Sequence, residues 1–180
     1  MKISFGLQNL LCEVDEFSMK PVSIRPGALE LLKTLKDSNH ELILWTRLKR
    51  SKIKPLKTYA DDLFKFFDKI YCKEDLELEE DIPGCSPHEF KNINKIGADC
   101  MIECKTPYSL YSKNMGMEDK YLIVNNYREI YYQQLTPWQL KILGDDAYTK
   151  WEDLCKKKEE WIYDVLSFID GLSARAKDTQ

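Results

Sequence analysis

The sequence predicts an α/β fold with a mostly parallel central sheet, because three of its patterns are typical of that class. Apolar runs without polar alternation, as at residues 41–46 and 121–124, indicate strands that are buried on both faces. Between such runs, apolar residues recur at helical spacing, as over residues 28–35. Strand and helix patterns alternate along the chain, which is the order found in folds built on a parallel sheet.

The individual elements are predicted in chain order from these patterns and from their end signals. A first strand ends at Phe5, and the helix over residues 28–35 follows the turn Arg25-Pro26-Gly27. Thr106 and Pro107 suit the first positions of another helix, as N-cap and first helical residue. The further predicted strands are residues 41–46, 69–72 and 121–124, and the further predicted helices are residues 56–67, 106–116 and 151–169, the last ending by Gly171.

Length and composition indicate one domain, which we expect to span residues 1–180 with an insertion at residues 74–99. The insertion combines an acidic cluster with Pro83, Gly84 and Pro87, which disfavour a packed core. The 180 residues carry a formal net charge of −3, which argues against non-specific nucleic-acid binding. We expect no membrane span, since no run of about 18 apolar residues occurs.

The cellular setting predicted from the sequence is intracellular. Residues 1–5 lack the apolar segment of a secretory signal, so we expect no cleavable address. The six cysteines are then expected to be reduced thiols. Cytoplasm, nucleus and mitochondrion all stay open as compartments.

Short motifs follow the predicted strands, at the edge where open α/β sheets carry their chemistry. Gly6-Leu7-Gln8 follows the first strand, Thr46 ends the second, and Asn125 follows the strand at 121–124. Together with the Arg-Pro-Gly turn before a Leu-rich helix, this series resembles the haloacid dehalogenase (HAD) superfamily. More closely it resembles the small CTD phosphatases, called NLI-interacting-factor-like, a branch that also contains the Tim-type receptor subunit of the mitochondrial presequence translocase. The resemblance implies a HAD-like three-layer sandwich.

The resemblance also implies where catalytic groups would stand. Active members carry two aspartates in a DxDx(T/V) loop after the first strand, as nucleophile and as general acid/base, and a further Asp that helps to hold magnesium. In this sequence Gly6 and Gln8 stand at the first two positions, and Asn125 stands at the third. Thr46 matches the hydroxyl residue that holds the phosphate.

A phosphate-binding lysine is also implied, but its position is ambiguous. Lys105 precedes the predicted helix and Lys113 lies within it, whereas the best register places Leu110 at the expected site.

These replacements predict a protein without catalysis. Glycine has no atom that can attack phosphorus, and a glutamine amide cannot exchange a proton usefully near neutral pH. We therefore expect a catalytically inactive HAD-like pseudophosphatase, not an enzyme, with no metal and no cofactor. It would act as a binding or structural subunit of a larger intracellular assembly. The aromatic residues Tyr131, Tyr132 and Trp138 are the candidate anchors for a protein partner.

One alternative is an active magnesium-dependent phosphatase that uses Glu13 and Asp15. These acids lie two residues apart, as in the DxD pattern, but Glu13 is one methylene longer than aspartate and Phe17 takes the place of the hydroxyl residue.

A second alternative is a nucleic-acid-associated module that uses the basic stretch at residues 47–57. A zinc site is also left open, because four soft ligands occur at nearly zinc-like spacing: Cys85, His88, Cys100 and Cys104. Otherwise Cys100 and Cys104 would simply line a buried strand.

Overall fold

The computed structural model describes residues 1–14, 21–75, 91–104, 112–113, 115–124, 127 and 160–178. Its strands are β1 (Lys2–Phe5), β2 (Cys12–Val14), β3 (Pro21–Ile24), β4 (Glu41–Trp45), β5 (Lys69–Tyr71), β6 (Cys100–Glu103) and β7 (Tyr121–Ile123). Its α-helices are α1 (Ala28–Asp37), α2 (Arg50–Tyr59), α3 (Asp61–Phe64) and α4 (Glu160–Asp178), and short 3-10 helices cover Ile93–Ile96 and Glu118–Lys120.

The main sheet is parallel throughout, in the strand order β5-β4-β1-β6-β7. Strands β2 and β3 form a separate antiparallel pair. The predicted α/β class with a mostly parallel sheet is confirmed. Strand β1 is central, so the residues that follow it lie between the ends of β4 and β6.

Strand β6 is not one of the strands predicted from the apolar runs, although a buried strand at Cys100 was the alternative to the zinc site. All four of its residues are buried, and it pairs with β1 in parallel from Ile3 opposite Cys100 to Phe5 opposite Ile102. Strand β7, which precedes Asn125 in the sequence, pairs with β6 at the edge of the sheet. The neighbour of β1 on this side is therefore the strand that ends at Glu103.

The two faces of the sheet are covered by different layers. Ile3 and Phe5 of β1 face the larger core, which holds the buried residues of all four α-helices. On the other face, Ile43 and Met101 pack beneath the 3-10 helix Ile93–Ile96. Residues 76–90 of the predicted insertion lie outside the described residues, whereas Ile93 is fully buried over the sheet. The single-domain assignment stays a prediction.

Two helices differ from their predicted bounds. The pattern at 56–67 is divided into α2 and α3 by Ala60, whose ψ of 39° leaves the helical region, and α2 begins earlier than predicted, at Arg50. Gly171 does not end the last helix, which continues to Asp178. Within the described residues no helix is both long and apolar enough to cross a membrane.

The Arg25-Pro26-Gly27 turn fixes α4 against the rest of the fold. Arg25 is buried, and its guanidinium lies 4.3 Å from the ring centroid of Trp161 and 6.0 Å from that of Tyr127. Trp161 Nε1 donates a hydrogen bond to the carbonyl of Pro26 at 3.3 Å. Burial lowers the pKa of Arg25 to about 10, so the stacked group is still a cation at neutral pH.

Gly27 is required at this turn for two physical reasons. Its φ of +78° lies in the left-handed region, which costs about 1–2 kcal/mol for a residue with a side chain. A Cβ here would also collide with Cδ1 of Ile162 on α4.

We predict that Gly27→Ala lowers the free energy of unfolding by about 2 kcal/mol or more, because strain and the collision with α4 add together. The matched control is Gly171→Ala, where nothing lies within 4 Å of the added methyl group and the residue is helical. That change should be neutral or stabilise by up to about 1 kcal/mol. Urea unfolding of the three proteins measures both values, and equal losses in the two variants would contradict the role of the turn.

Candidate functional site

A polar pocket lies at the carboxyl edge of the sheet, where β1, β4 and β6 end. Its lining residues come from the loop after β1, the loop after β4, the segment before β6 and the last residue of β6. They are Leu7, Gln8, Thr46, Arg47, Lys91 and Glu103. The structure thus brings the predicted positions Gln8 and Thr46 together, and it adds Lys91 and Glu103, which sequence reasoning did not select.

Gly6 lies directly beneath the side chain of Glu103. The backbone N–H of Gly6 donates to the carbonyl of Ile102 at 3.0 Å, which holds the loop against β6. A Cβ on Gly6 would lie 2.6 Å from Oε2 and 2.8 Å from Oε1 of Glu103. The space that a side chain at position 6 would fill is therefore occupied by a carboxylate from the neighbouring strand.

Glu103 forms a buried ion pair with Lys91. Lys91 Nζ lies 2.5 Å from Oε1 of Glu103, and the two side chains are 6% and 3% exposed. The backbone N–H of Cys104 donates to Oε2 at 2.8 Å, and Lys91 Nζ also donates to the carbonyl of Trp45 at 2.7 Å. Both carboxylate oxygens therefore have a donor, as a buried charge requires.

The segment that carries Lys91 is itself held over the sheet. The hydroxyl of Tyr121 donates to the carbonyl of Lys91 at 2.7 Å and accepts from the N–H of Ile93 at 3.1 Å. Because Tyr121 begins β7, these two bonds tie the start of the covering segment to the sheet. The lysine head group is thus placed by β4, β6 and β7 together.

Thr46 directly follows β4 and contributes its hydroxyl to the pocket. Its side-chain oxygen accepts from the N–H of Leu48 at 3.1 Å, and its own N–H donates to the carbonyl of Tyr71. A hydroxyl that accepts in this way can still donate its hydrogen to a ligand. Arg47, the next residue, lines the same pocket with a second cationic side chain.

The other predicted site residues are not brought into this pocket. Glu13 is buried on β2, opposite Ser23, and does not line it, while Asp15 lies outside the described residues. Lys113 is exposed and does not line it either. The remaining candidates fall outside the described residues, and their roles stay predictions: Asn125, Lys105, Leu110, Tyr131, Tyr132 and Trp138.

The zinc hypothesis is only partly covered by the structure. Cys100 and Cys104 are buried cysteines, and burial raises the pKa of Cys100 to about 12. Cys85 and His88 lie outside the described residues. Over the part of the chain that the structure describes, His, Cys, Asp and Glu form no group of three or more suited to a metal.

Comparison with known proteins gives likeness in structure but not in sequence. No family model and no curated protein matches the sequence. A Thermotoga maritima protein assigned as a β-phosphoglucomutase matches at 14% identity and a TM-score of 0.39, over 63% of this chain and 52% of that one. The core domain of a Streptococcus pneumoniae protein assigned as a phosphoglycolate phosphatase matches at 15% identity and a TM-score of 0.43, over 72% of this chain and 91% of that one.

A third match, a crystal structure at 15% identity and a TM-score of 0.49, extends over 99% of this chain and 97% of that one. The match to the β-phosphoglucomutase covers about half of that protein's chain. The five-stranded parallel sheet flanked by helices confirms the predicted α/β class. The resemblance to the HAD superfamily stays a prediction.

The prediction that this chain is not an enzyme is wrong. The prediction depended on the absence of carboxylates at Gly6, Gln8 and Asn125, and it overlooked the buried carboxylate of Glu103 in the same pocket. The strand that carries Glu103 had not been placed, so the residue was never considered.

Magnesium, which the family resemblance implies, does not fit the described residues of the pocket. Magnesium needs an octahedron of oxygen ligands, usually with one or two carboxylates. The lining residues offer one carboxylate, Glu103, and both of its oxygens already accept hydrogen bonds from Lys91 and Cys104. The lining also includes two cationic side chains, Lys91 and Arg47, which repel a divalent cation.

The ion pair leads to a stability prediction. Lys91→Met would leave the Glu103 carboxylate buried without its cation, so the free energy of unfolding should fall by about 3–5 kcal/mol. Lys91→Met with Glu103→Gln should lose less than Lys91→Met alone, because no uncompensated charge remains. Urea unfolding measures the losses, with Lys95→Met, at an exposed position of the same segment, as the control. A double variant as unstable as the sum of the two single variants would contradict the coupling.

Proposed function

We propose that this protein is a phosphatase-like hydrolase that acts on phosphate monoesters in the edge pocket. The observation that carries the proposal is the Glu103 carboxylate, which fills the space over Gly6 and is paired with Lys91 beside the hydroxyl of Thr46. The proposal keeps the alternative of an active phosphatase but replaces Glu13 and Asp15 with Glu103 as the reacting acid.

The pocket has the donors that a phosphate group needs. The ammonium of Lys91 and the guanidinium of Arg47 supply positive charge, and Thr46 supplies a hydroxyl donor. Since Lys91 and Glu103 are almost fully buried, water screens their charges less than it would at the surface. A phosphate monoester would thus meet two cations and one hydroxyl at the edge of the sheet.

Glu103 is the group that we assign as nucleophile. It supplies the carboxylate among the described lining residues, and the neutral side chains Leu7 and Gln8 cannot attack phosphorus. In the proposed reaction a carboxylate oxygen bonds to phosphorus while the bond to the leaving oxygen breaks. Water then attacks phosphorus, the acyl-phosphate bond breaks, phosphate leaves, the proton of the water passes to solvent and the carboxylate is restored.

Gln8 limits which esters can react. A glutamine amide cannot donate a proton to the leaving oxygen, so an alkoxide would have to leave unassisted. A phenolate leaves without that help because its conjugate acid is far stronger. The pocket is therefore suited to aryl phosphates more than to alkyl phosphates.

The finer family placement is part of this proposal. The Arg25-Pro26-Gly27 turn and the Leu-rich helix α1 support the NLI-interacting-factor-like branch. A protein partner is also expected, with the aromatic residues Tyr131, Tyr132 and Trp138 as its candidate anchors. Both stay predictions, as do the intracellular setting and the nucleic-acid alternative.

The proposal predicts hydrolysis of p-nitrophenyl phosphate that depends on Glu103. Glu103→Gln keeps the shape of the side chain but removes the nucleophile, so kcat/KM should fall by about 100-fold or more. Glu13→Gln, on β2 and outside the pocket, is the matched control and should retain activity. Quenching turnover with borohydride should label the peptide that contains residue 103, because an acyl phosphate is reducible.

Failure of the wild-type protein to hydrolyse the ester would overturn the proposed function. Loss of activity in Glu13→Gln with full activity in Glu103→Gln would instead favour the acids of the loop after β2.

A second prediction concerns Gln8. Gln8→Glu introduces a group that can protonate the leaving oxygen, so hydrolysis of an alkyl phosphate should rise by about 10-fold or more relative to the aryl ester. Gln8→Met, without an acid, should leave the aryl preference unchanged. The ratio of kcat/KM for glycerol phosphate and p-nitrophenyl phosphate is the measurement, and an unchanged ratio in Gln8→Glu would exclude position 8 from proton transfer.

A further inference from the structure

The charges around the pocket are arranged for an anion. Among its described lining residues two side chains are cationic, Lys91 and Arg47, and one is a carboxylate, Glu103. The carboxylate is already matched by the ammonium of Lys91 at 2.5 Å. The formal charge summed over these described lining residues is therefore positive.

We infer that this pocket binds the phosphate group without a divalent cation, with the ammonium of Lys91 standing where a metal would otherwise neutralise charge. The inference rests on the phosphate site of the proposed function, but it does not require that the bound ester be hydrolysed. It departs from the magnesium dependence that the family resemblance implies.

The ligand geometry around Glu103 supports the inference. A metal ion bound to Oε1 or Oε2 would share that oxygen with the Lys91 ammonium or the Cys104 N–H. The Lys91 head group, which also donates to the carbonyl of Trp45, would then lie beside the metal. This arrangement opposes metal binding, since it places like charges together.

The position of Gly6 beneath Glu103 also supports the inference. A carboxylate at position 6 would be the natural second acidic ligand at this edge of the sheet. The Glu103 side chain leaves no room for it, since even a Cβ would lie 2.6 Å from Oε2. One carboxylate and two cations match a phosphate dianion, whereas a divalent cation would add a third source of positive charge.

The first experiment uses the unmodified chain and inorganic phosphate as the probe. In EDTA, phosphate at ten times its Kd should raise Tm by about 3 °C, because only the folded state binds it. Magnesium alone should leave Tm unchanged, and magnesium with phosphate should add nothing to the effect of phosphate. Hydrolysis of p-nitrophenyl phosphate should run at the same rate in EDTA and in magnesium.

The second experiment replaces the ammonium of Lys91, the proposed cation, with a neutral side chain. Lys91→Gln should lose the phosphate shift in EDTA and should gain a Tm rise with magnesium, because the carboxylate of Glu103 is released. Lys95→Gln, at an exposed position four residues along the same segment, should behave like the wild type. If Lys91→Gln does not fold, the wild-type melts in EDTA and in magnesium decide the question alone.

The outcomes separate the two proposals. A Tm rise with magnesium in the wild type, a phosphate shift that requires magnesium, or no phosphate shift at all would overturn the metal-free site. Turnover that is lost in EDTA and restored by magnesium would overturn it too, while supporting the proposed hydrolase. A phosphate shift in EDTA without turnover under any condition would support the metal-free site and overturn the hydrolase.

Discussion

The buried ion pair between Lys91 and Glu103 is the interaction on which the rest of the site depends. Two charges taken out of water are stable only when their hydrogen-bonding capacity is met. The fold meets it with the Trp45 carbonyl from β4 and the Cys104 N–H beyond β6. One pair of side chains therefore connects two strands to the covering segment, and the position of the pocket follows from it.

Only some residues of the candidate site could be located from the sequence. Gly6, Gln8 and Thr46 could be located after strands from the sequence, because each follows an apolar run that could be recognised as a strand. Their roles stay predictions. Lys91 was not found, because it reaches the pocket through contacts with residues 12 and 46 positions away. No local sequence pattern around a single lysine in a polar stretch predicts such a contact.

Glu103 was missed for a different reason. Its strand is four residues long and contains one cysteine and one glutamate, so the run Cys100-Met101-Ile102 was too short to stand out beside stronger runs. Whether residues 100–103 form a strand depends on their pairing with β1, and that pairing is determined by the whole sheet. The sheet class was predictable from β4 and α1, whose patterns are long and regular, but the neighbour of β1 was not.

The crowding of Gly6 by Glu103 also constrains how such a site could change by single substitutions. An acid introduced at position 6 meets the Glu103 carboxylate at once, in both space and charge. Shortening the side chain at 103 first makes room, but it withdraws the partner of Lys91 before a replacement exists. Each single step passes through a weakened protein, so the two positions can exchange roles only together. Single substitutions at position 6 or 103 are therefore disfavoured in either order, so the present arrangement is difficult to reverse.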